Sequence, residues 1–429
     1  MTELNYETLR NAVDRGVAAI RSISKLQPAG GPGDKIFPPT YVKENQATTK
    51  YAMELRRIDG KETYTVLLDS VASQANRLEE ALLEGWKRKE LTFPLVQIDF
   101  SGEEGIADLE QLTALQTPHR IADALLRDSL LDGKPFRQTA IGTAFTEARP
   151  NHATAMYRYC PTALIFGVWD STGPKGGLGA KFQRALVSEI IGINAVAGVK
   201  VASRLDPAGI EKKAGPVYQL KGEPGEWTVD ESKAEKKNNK PVLFMRSSNS
   251  KKEGGTPAAL NHGNIPPSID AEAGGATMDH AIQTTVLSLP ALRRLRFTDT
   301  VDGRPIVPEK RDDTEVSARA ALAALALCAV VYQRENGYDL RSRSLLVPTG
   351  PFALEFVPAD GGQTQPLSLT LEGARKLLNE ARDDAKKYGM DWSEREITLK
   401  PAPKLADLIR VSRKQTESGE VEEQSNASD

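Results

Sequence analysis

The residues best suited to chemistry sit together in "WDSTGPKGGLGAKFQRALVSEI", Trp169 to Ile190. Glycines let backbone N–H groups come close to an anion, and Lys175, Lys181 and Arg184 add positive charge. An apolar run, "ALIFGV", precedes the segment and reads as a strand. A helix is predicted from about residue 180, with Lys181, Arg184 and Ser188 on one face. Strand, Gly-rich turn and helix make a phosphate cradle, because the helix presents its positive end to the turn. The phosphate would belong either to a nucleotide or to a nucleic-acid backbone. The nucleotide motifs fail on spacing. Counting from Gly173, Leu178 stands where a P-loop needs its second glycine, and Phe182 follows Lys181 where Ser or Thr is required. The dinucleotide pattern starts well at Gly177 and Gly179 and then meets Phe182. The bland alternative is a tight turn followed by a solvated helix face.

A second group lies in "LLDSVASQANRLEEAL". On a helix Ser70, Ser73, Gln74 and Arg77 fall on one side, and Val71, Ala75, Leu78 and Leu82 on the other. Hydroxyls, an amide and an Arg at a helix start suit phosphates and sugars, although an ordinary amphipathic helix carries the same pattern. In "ALNHGNIPPS", Asn261 and His262 lie in a turn-rich stretch, and "PALRRLRF" clusters Arg293, Arg294 and Arg296 ahead of a hairpin tip at Asp302-Gly303. The four histidines, at 119, 152, 262 and 280, show no metal-ligand spacing, and the two cysteines exclude an all-Cys zinc site. No serine-hydrolase elbow is present. Neither a metal nor a cofactor is expected, and no catalytic residue stands out.

The elements that position these groups alternate irregularly, which predicts an α+β fold. Helices are predicted at 5–24, 70–89, 118–133, 316–335 and 371–388, with strands at 62–69, 95–100, 163–168 and in "HAIQTTVLSL". The segment 205–262 reads as a polar, partly basic insertion, and the acidic tail 414–429 reads as disordered. The apolar run Ala318–Tyr332 contains Arg319 and is too short to span a bilayer, so a buried core helix is expected. With 39% hydrophobic and 27% charged residues, a net charge of −2 and no leader-like start, the chain reads as a soluble cytoplasmic protein with no membrane partner. Near-neutral charge means that any nucleic-acid binding must come from a local patch.

Five segments in this order, "VLLDSVASQANRLEEAL", "PHRIADALLRDS", "IFGVWDSTGPKGGLGAKFQRALVSEIIG", "NHGNIPPS" and "MDHAIQTTVLSLPALRRLRF", resemble the backbone subunit of the type I-U (I-G) CRISPR effector complex, a RAMP-superfamily protein. The resemblance spans roughly residues 64–297. It implies a modified RNA-recognition (ferredoxin-like) core over 1–413 with large insertions. One of these, 205–262 or 292–311, would be a hairpin thumb. It also implies copies polymerised head to tail along a CRISPR RNA, as in Cascade, with target DNA reached through the guide. Other effector subunits and a recruited nuclease-helicase would be partners, and the chain itself would not be an enzyme. On this resemblance Lys175, Gly176, Gly177, Lys181 and Arg184 would hold the guide backbone, with Ser171 and Thr172 as neutral donors. Ser70, Ser73, Gln74 and Arg77 would form a second contact row. His119, Arg120, Asn261 and His262 are further candidates. The competing expectation is a nucleotide-binding enzyme that uses the turn at 173–181.

Overall fold

A computed structural model of the chain describes residues 2–43, 47–171, 179–223, 225–245, 254–392 and 396–417. Helix α1 (Tyr6–Asp14) starts at Asn5, whose side chain accepts from the Thr8 amide at 2.9 Å. The helix predicted over 5–24 stops there, because Gly16 takes φ +80° and the chain then alternates at period two. In β1 (Val17–Pro28), Ile20, Ser22, Ser24 and Leu26 point inward, while Ile23 and Lys25 face solvent.

The other strands of four or more residues in the main sheet are β2 (Met53–Ile58), β3 (Lys61–Asp69), β5 (Leu186–Ile193), β6 (His280–Ser288), β7 (Leu345–Pro348), β8 (Leu354–Pro358) and β9 (Gln365–Ser368). Their spatial order is β9-β8-β1-β6-β5-β3-β2, and β7 also pairs with β1. These neighbours are antiparallel, with Ile20 opposite Leu287, and Leu287 opposite Leu186. A second sheet places β4 (Leu95–Asp99) parallel to β10 (Glu396–Pro401). The chain is therefore α+β, as expected.

Helix α3 (Pro308–Asn336) forms the centre of the core. Every residue from Thr314 to Gln333 is buried, against α2 (Val71–Lys87), α4 (Leu371–Lys387) and α1. It is longer than the sequence suggested, and it is long and apolar enough to cross a membrane. Its apolar window is nevertheless wholly buried in the fold. Arg319 is accommodated there by Glu315 (2.5 Å) and the Leu295 carbonyl (2.6 Å).

Three further expectations are corrected. Residues 118–133 do not form one helix. A short helix, Ala124–Arg127, capped by Asp123, gives way to a hairpin, Ser129–Leu131 with Lys134–Pro135. The Asp132-Gly133 pair has positive φ at both residues, the turn geometry that a tight hairpin demands, so Gly133 is a hairpin residue. The apolar run at 163–168 is mostly a short helix, Thr162–Phe166, and the residues after 180 are extended. Finally, α5 (Pro403–Glu417) runs through the start of the expected tail, so 414–417 are helical, while 418–429 lie outside the described residues.

Between β5 and β6 the chain leaves the sheet on a paired stem. Val196–Ala197 pairs with Ala276–Thr277, and Lys200–Arg204 pairs with Ile265–Asp270. The stem carries a polar head with its own small cluster of Val217, Phe244 and Ala259.

Candidate nucleic-acid interface

Gly167 (φ +81°) ends the short helix and turns the chain into a two-residue strand, Val168–Trp169. This strand pairs back with Lys181–Phe182, placing Lys181 opposite Trp169 and Phe182 opposite Val168. The residues on either side of the Gly-rich segment are thus paired with each other, and the next element is strand β5. Among the described residues no helix follows the segment, so the expected helix from about residue 180 is replaced by strands. The reason lies in "RALVSEIIGI", where Leu186, Ser188 and Ile190 are buried at period two, a strand pattern.

The hairpin walls a cleft of about 750 Å³, which also collects Pro118, His119, Arg120, Arg184, Ala291 and Arg294. Its floor is apolar, with Leu164, Phe166, Phe182 and Leu295 buried beneath it. Its rim is cationic. Lys181 and Arg294 are exposed, and Arg294 Nη1 donates to Gln183 Oε1 at 2.7 Å. No Asp or Glu is among the described lining residues. Arg184 is half-buried, and desolvation, then the neighbouring Arg120, lower its pKa. Trp169 is 53% exposed, and the Lys181 ammonium lies 5.0 Å from its ring centroid.

Arg120 forms the back of the cleft. Its Nε and Nη2 donate to the two Glu79 carboxylate oxygens at 2.6 and 2.7 Å, and Nη1 donates to the Gly167 carbonyl at 3.2 Å. Both side chains of this pair are almost fully buried. Burial pushes the Glu79 carboxyl up to about 7, against the pull of Arg120 and Arg184.

Among the expected site residues, His119, Arg120, Ser171, Lys181 and Arg184 thus meet at one cleft, although 119–120 and 181–184 are far apart in sequence. Thr172, Lys175, Gly176 and Gly177 lie outside the described residues. The row on α2 is elsewhere. Ser70 caps the helix, accepting from the Ser73 amide at 3.2 Å. Ser73, Gln74 and Arg77 all donate to the buried Asp69 carboxylate, at 2.6, 2.5 and 2.9 Å. Gln74 is fully buried, and its Oε1 accepts from Ser188 (2.9 Å) and Gln283 (2.8 Å) across the sheet. This side of the helix therefore faces an internal polar network. Asn261 (left-handed, φ +59°) and His262 lie in the stem-borne head and do not line the cleft. The His262 ring lies 3.5 Å from the Asp206 carboxylate.

Sequence reasoning passed over Trp169, Gln183 and Phe182 as site residues and left Arg294 unplaced. Trp169 begins the glycine segment, and its exposure was the missing signal. Among the described residues no group of His, Cys, Asp or Glu is placed to hold a metal ion.

A comparison with curated proteins found no match. Residues 20–197 match the family model described as CRISPR-associated protein GSU0053, and the described residues that line the cleft fall within the match, apart from its 291–295 wall.

Proposed function

We propose that the chain is a non-catalytic backbone subunit of a type I CRISPR effector complex, holding the guide RNA in antiviral defence. The observation that carries this reading is the cleft itself, where Lys181, Arg184 and Arg294 stand beside an exposed tryptophan with no carboxylate among the described lining residues. Cations with hydroxyl and amide donors hold a nucleic-acid backbone without reading its sequence, as a guide holder must. Base pairing would then read the target DNA.

The strand order supports a ferredoxin-like, RNA-recognition-type core. Taking β1, β5, β6 and β8 as its four strands, the spatial order is fourth, first, third, second. Helix α2 lies between the first and second, and α3 between the third and fourth. The stem between β5 and β6 favours residues 205–262, with their flanking ribbon, as the thumb. In the alternative, 292–311, Arg293 is spent on the Ala12, Val13 and Val17 carbonyls and Arg296 on Glu315. Head-to-tail copies, other effector subunits, a recruited nuclease-helicase and a cytoplasmic location complete the proposal. The nucleotide-enzyme alternative loses support, because among the described residues the Gly-rich segment is followed by strands, without the helix a phosphate cradle needs.

The test is fluorescence anisotropy with labelled single-stranded RNA between about 50 and 200 mM salt. Lys181→Ala with Arg294→Ala removes two exposed cations. The log–log salt slope should fall by about 1.4, evenly across RNA sequences. An unchanged slope and affinity would overturn the assignment of this cleft to RNA. Magnesium-dependent nucleotide binding without RNA binding would favour the enzyme.

A further inference from the structure

We propose that the cleft couples RNA binding to a proton, which the buried Glu79 carboxylate behind it takes up as the polyanion enters. This inference rests on the RNA-binding reading and adds a control to it. Glu79, Arg120 and Arg184 form one charged cluster at the back of the cleft, and of the three Glu79 alone is an acid. Arg120 grips both of its oxygens, at 2.6 and 2.7 Å. The charge of Arg184 acts on Glu79 and on Arg120 alike. Gly167 ties the two guanidinium residues together. Its carbonyl accepts from Arg120 at 3.2 Å, and a Cβ added to it would lie 3.0 Å from the Arg184 Cγ and amide nitrogen. Both arginines line the cleft, so an anion bound there meets the same two charges that Glu79 meets from behind.

The cluster is too confined to answer a new charge by moving. Glu79 is 1% exposed and Arg120 7%. Arg120 also holds a left-handed backbone, φ +51°, which a non-glycine residue keeps only where its surroundings impose it. The Thr117 hydroxyl, donating to its carbonyl at 3.0 Å, is one of those constraints. What remains is a change of protonation. The guanidinium groups keep their protons. The buried Cys160 thiol, which shares the field of Glu79, stays neutral because desolvation pushes it up to about 11. The carboxyl is the group that can respond, since burial already raises it to about 7 against the pull of both arginines. A phosphate in the cleft competes with the carboxylate for those arginines and raises it further. By reciprocity, the protonated cleft carries one more net positive charge and binds RNA more tightly. Affinity is therefore level below about pH 7 and falls as pH rises above it, until the bound form also loses its proton. Glu79 touches no RNA on this account and is a positioning residue that also sets the charge of Arg120. His119, on the cleft wall, is the second group able to gain a proton near neutral pH, so the two must be separated.

Anisotropy with one labelled single-stranded RNA at fixed salt, from about pH 6 to about pH 8.5, reads the coupling. Wild type should lose about 5-fold or more in affinity over that range. Glu79→Gln holds the neutral form at every pH while one oxygen still accepts from Arg120. It should bind at the low-pH affinity of wild type throughout. His119→Gln should keep the pH slope, whatever it does to the affinity itself. Calorimetry of wild type at about pH 7.5, in two buffers of different ionisation enthalpy, should show protons taken up on binding. Melting temperatures check that each variant folds, and if Glu79→Gln does not, the His119→Gln slope and the calorimetry decide. A wild-type affinity that is level or rises with pH, or binding without proton uptake, would overturn the coupling and leave the RNA-binding reading standing. So would a slope that survives in folded Glu79→Gln or vanishes in His119→Gln. If wild type binds no RNA at any pH, both readings fall.

Discussion

Replacing Glu79 with alanine should destabilise the protein more than any exposed change at the cleft. The mutation removes both acceptors of the Arg120 Nε and Nη2 groups. Arg120 is 7% exposed and cannot turn out to water. It keeps only the Gly167 carbonyl at 3.2 Å and the Phe166 ring at 5.7 Å. An ion left unpaired in a protein interior costs about 3–5 kcal/mol. Removing both members is expected to be far milder, because the cost of burying two ions roughly cancels what their pairing returns. Urea unfolding at pH 8 of Glu79→Ala, Arg120→Met and Glu79→Leu with Arg120→Met tests this, with the coupling energy read from the cycle. A Glu79→Ala protein within about 1 kcal/mol of wild type would refute the reasoning. So would a double variant as unstable as the sum of its parts.

The same carboxyl sets a pH dependence. Burial pushes Glu79 from its ordinary 4.5 up to about 7, so between those values the folded chain keeps a proton that the unfolded chain has released. Stability therefore falls as pH rises through this window and is level above about pH 7. The whole interval corresponds to about 3 kcal/mol at 1.36 kcal/mol per pH unit. Glu79→Gln should abolish the slope, as seen in urea midpoints from pH 4.5 to 8.

Two more outcomes follow from the neighbouring geometry. Gln74→Ala should leave Asp69, Ser188 and Gln283 short of partners, at about 1–3 kcal/mol for each buried group left unpaired. RNA affinity of the folded variant should not change, whereas a guide-contacting Gln74 would show an affinity loss without a fall in melting temperature. Gly167→Ala forces a side chain into φ +81° with its Cβ 3.0 Å from Arg184, at about 1–3 kcal/mol. It should also weaken RNA binding, since the Gly167 carbonyl holds Arg120 at the back of the cleft. Thermal melting and anisotropy read the two effects, and an unchanged melting temperature would show that the turn relaxes freely.

The strands at 62–69 and in "HAIQTTVLSL", and the helices at 70–89 and 371–388, were legible because local pattern and burial agree there. In "YTVLLD" β-branched and aromatic residues precede Ser70, a good cap, and the chain changes from strand to helix where those residues say it should. The segment after the glycines was misread because Lys181, Arg184 and Ser188 fit a helical face while Leu186, Ser188 and Ile190 fit a strand. Only pairing with β3 and β6 decides between them. The run "ALIFGV" is apolar throughout, so periodicity could not separate helix from strand.

The amino-acid sequence by itself determined the α+β class, the long buried helix, the lack of metal-ligand spacing and the concentration of cations around the glycine segment. These follow from residue type and local period, which need no partner. Tertiary structure decided which of those cations share a site. Arg120 and Arg184 come together because a short helix, the Gly167 turn and the paired strands Val168–Trp169 and Lys181–Phe182 lie back against 118–120, bringing Glu79 behind them. It also turned Ser73, Gln74 and Arg77 inward, since the buried Asp69 carboxylate demands donors and those side chains are the nearest. An amphipathic wheel shows that a polar face exists. Whether that face meets water, a ligand or a buried carboxylate depends on what packs over it, and no local pattern records that.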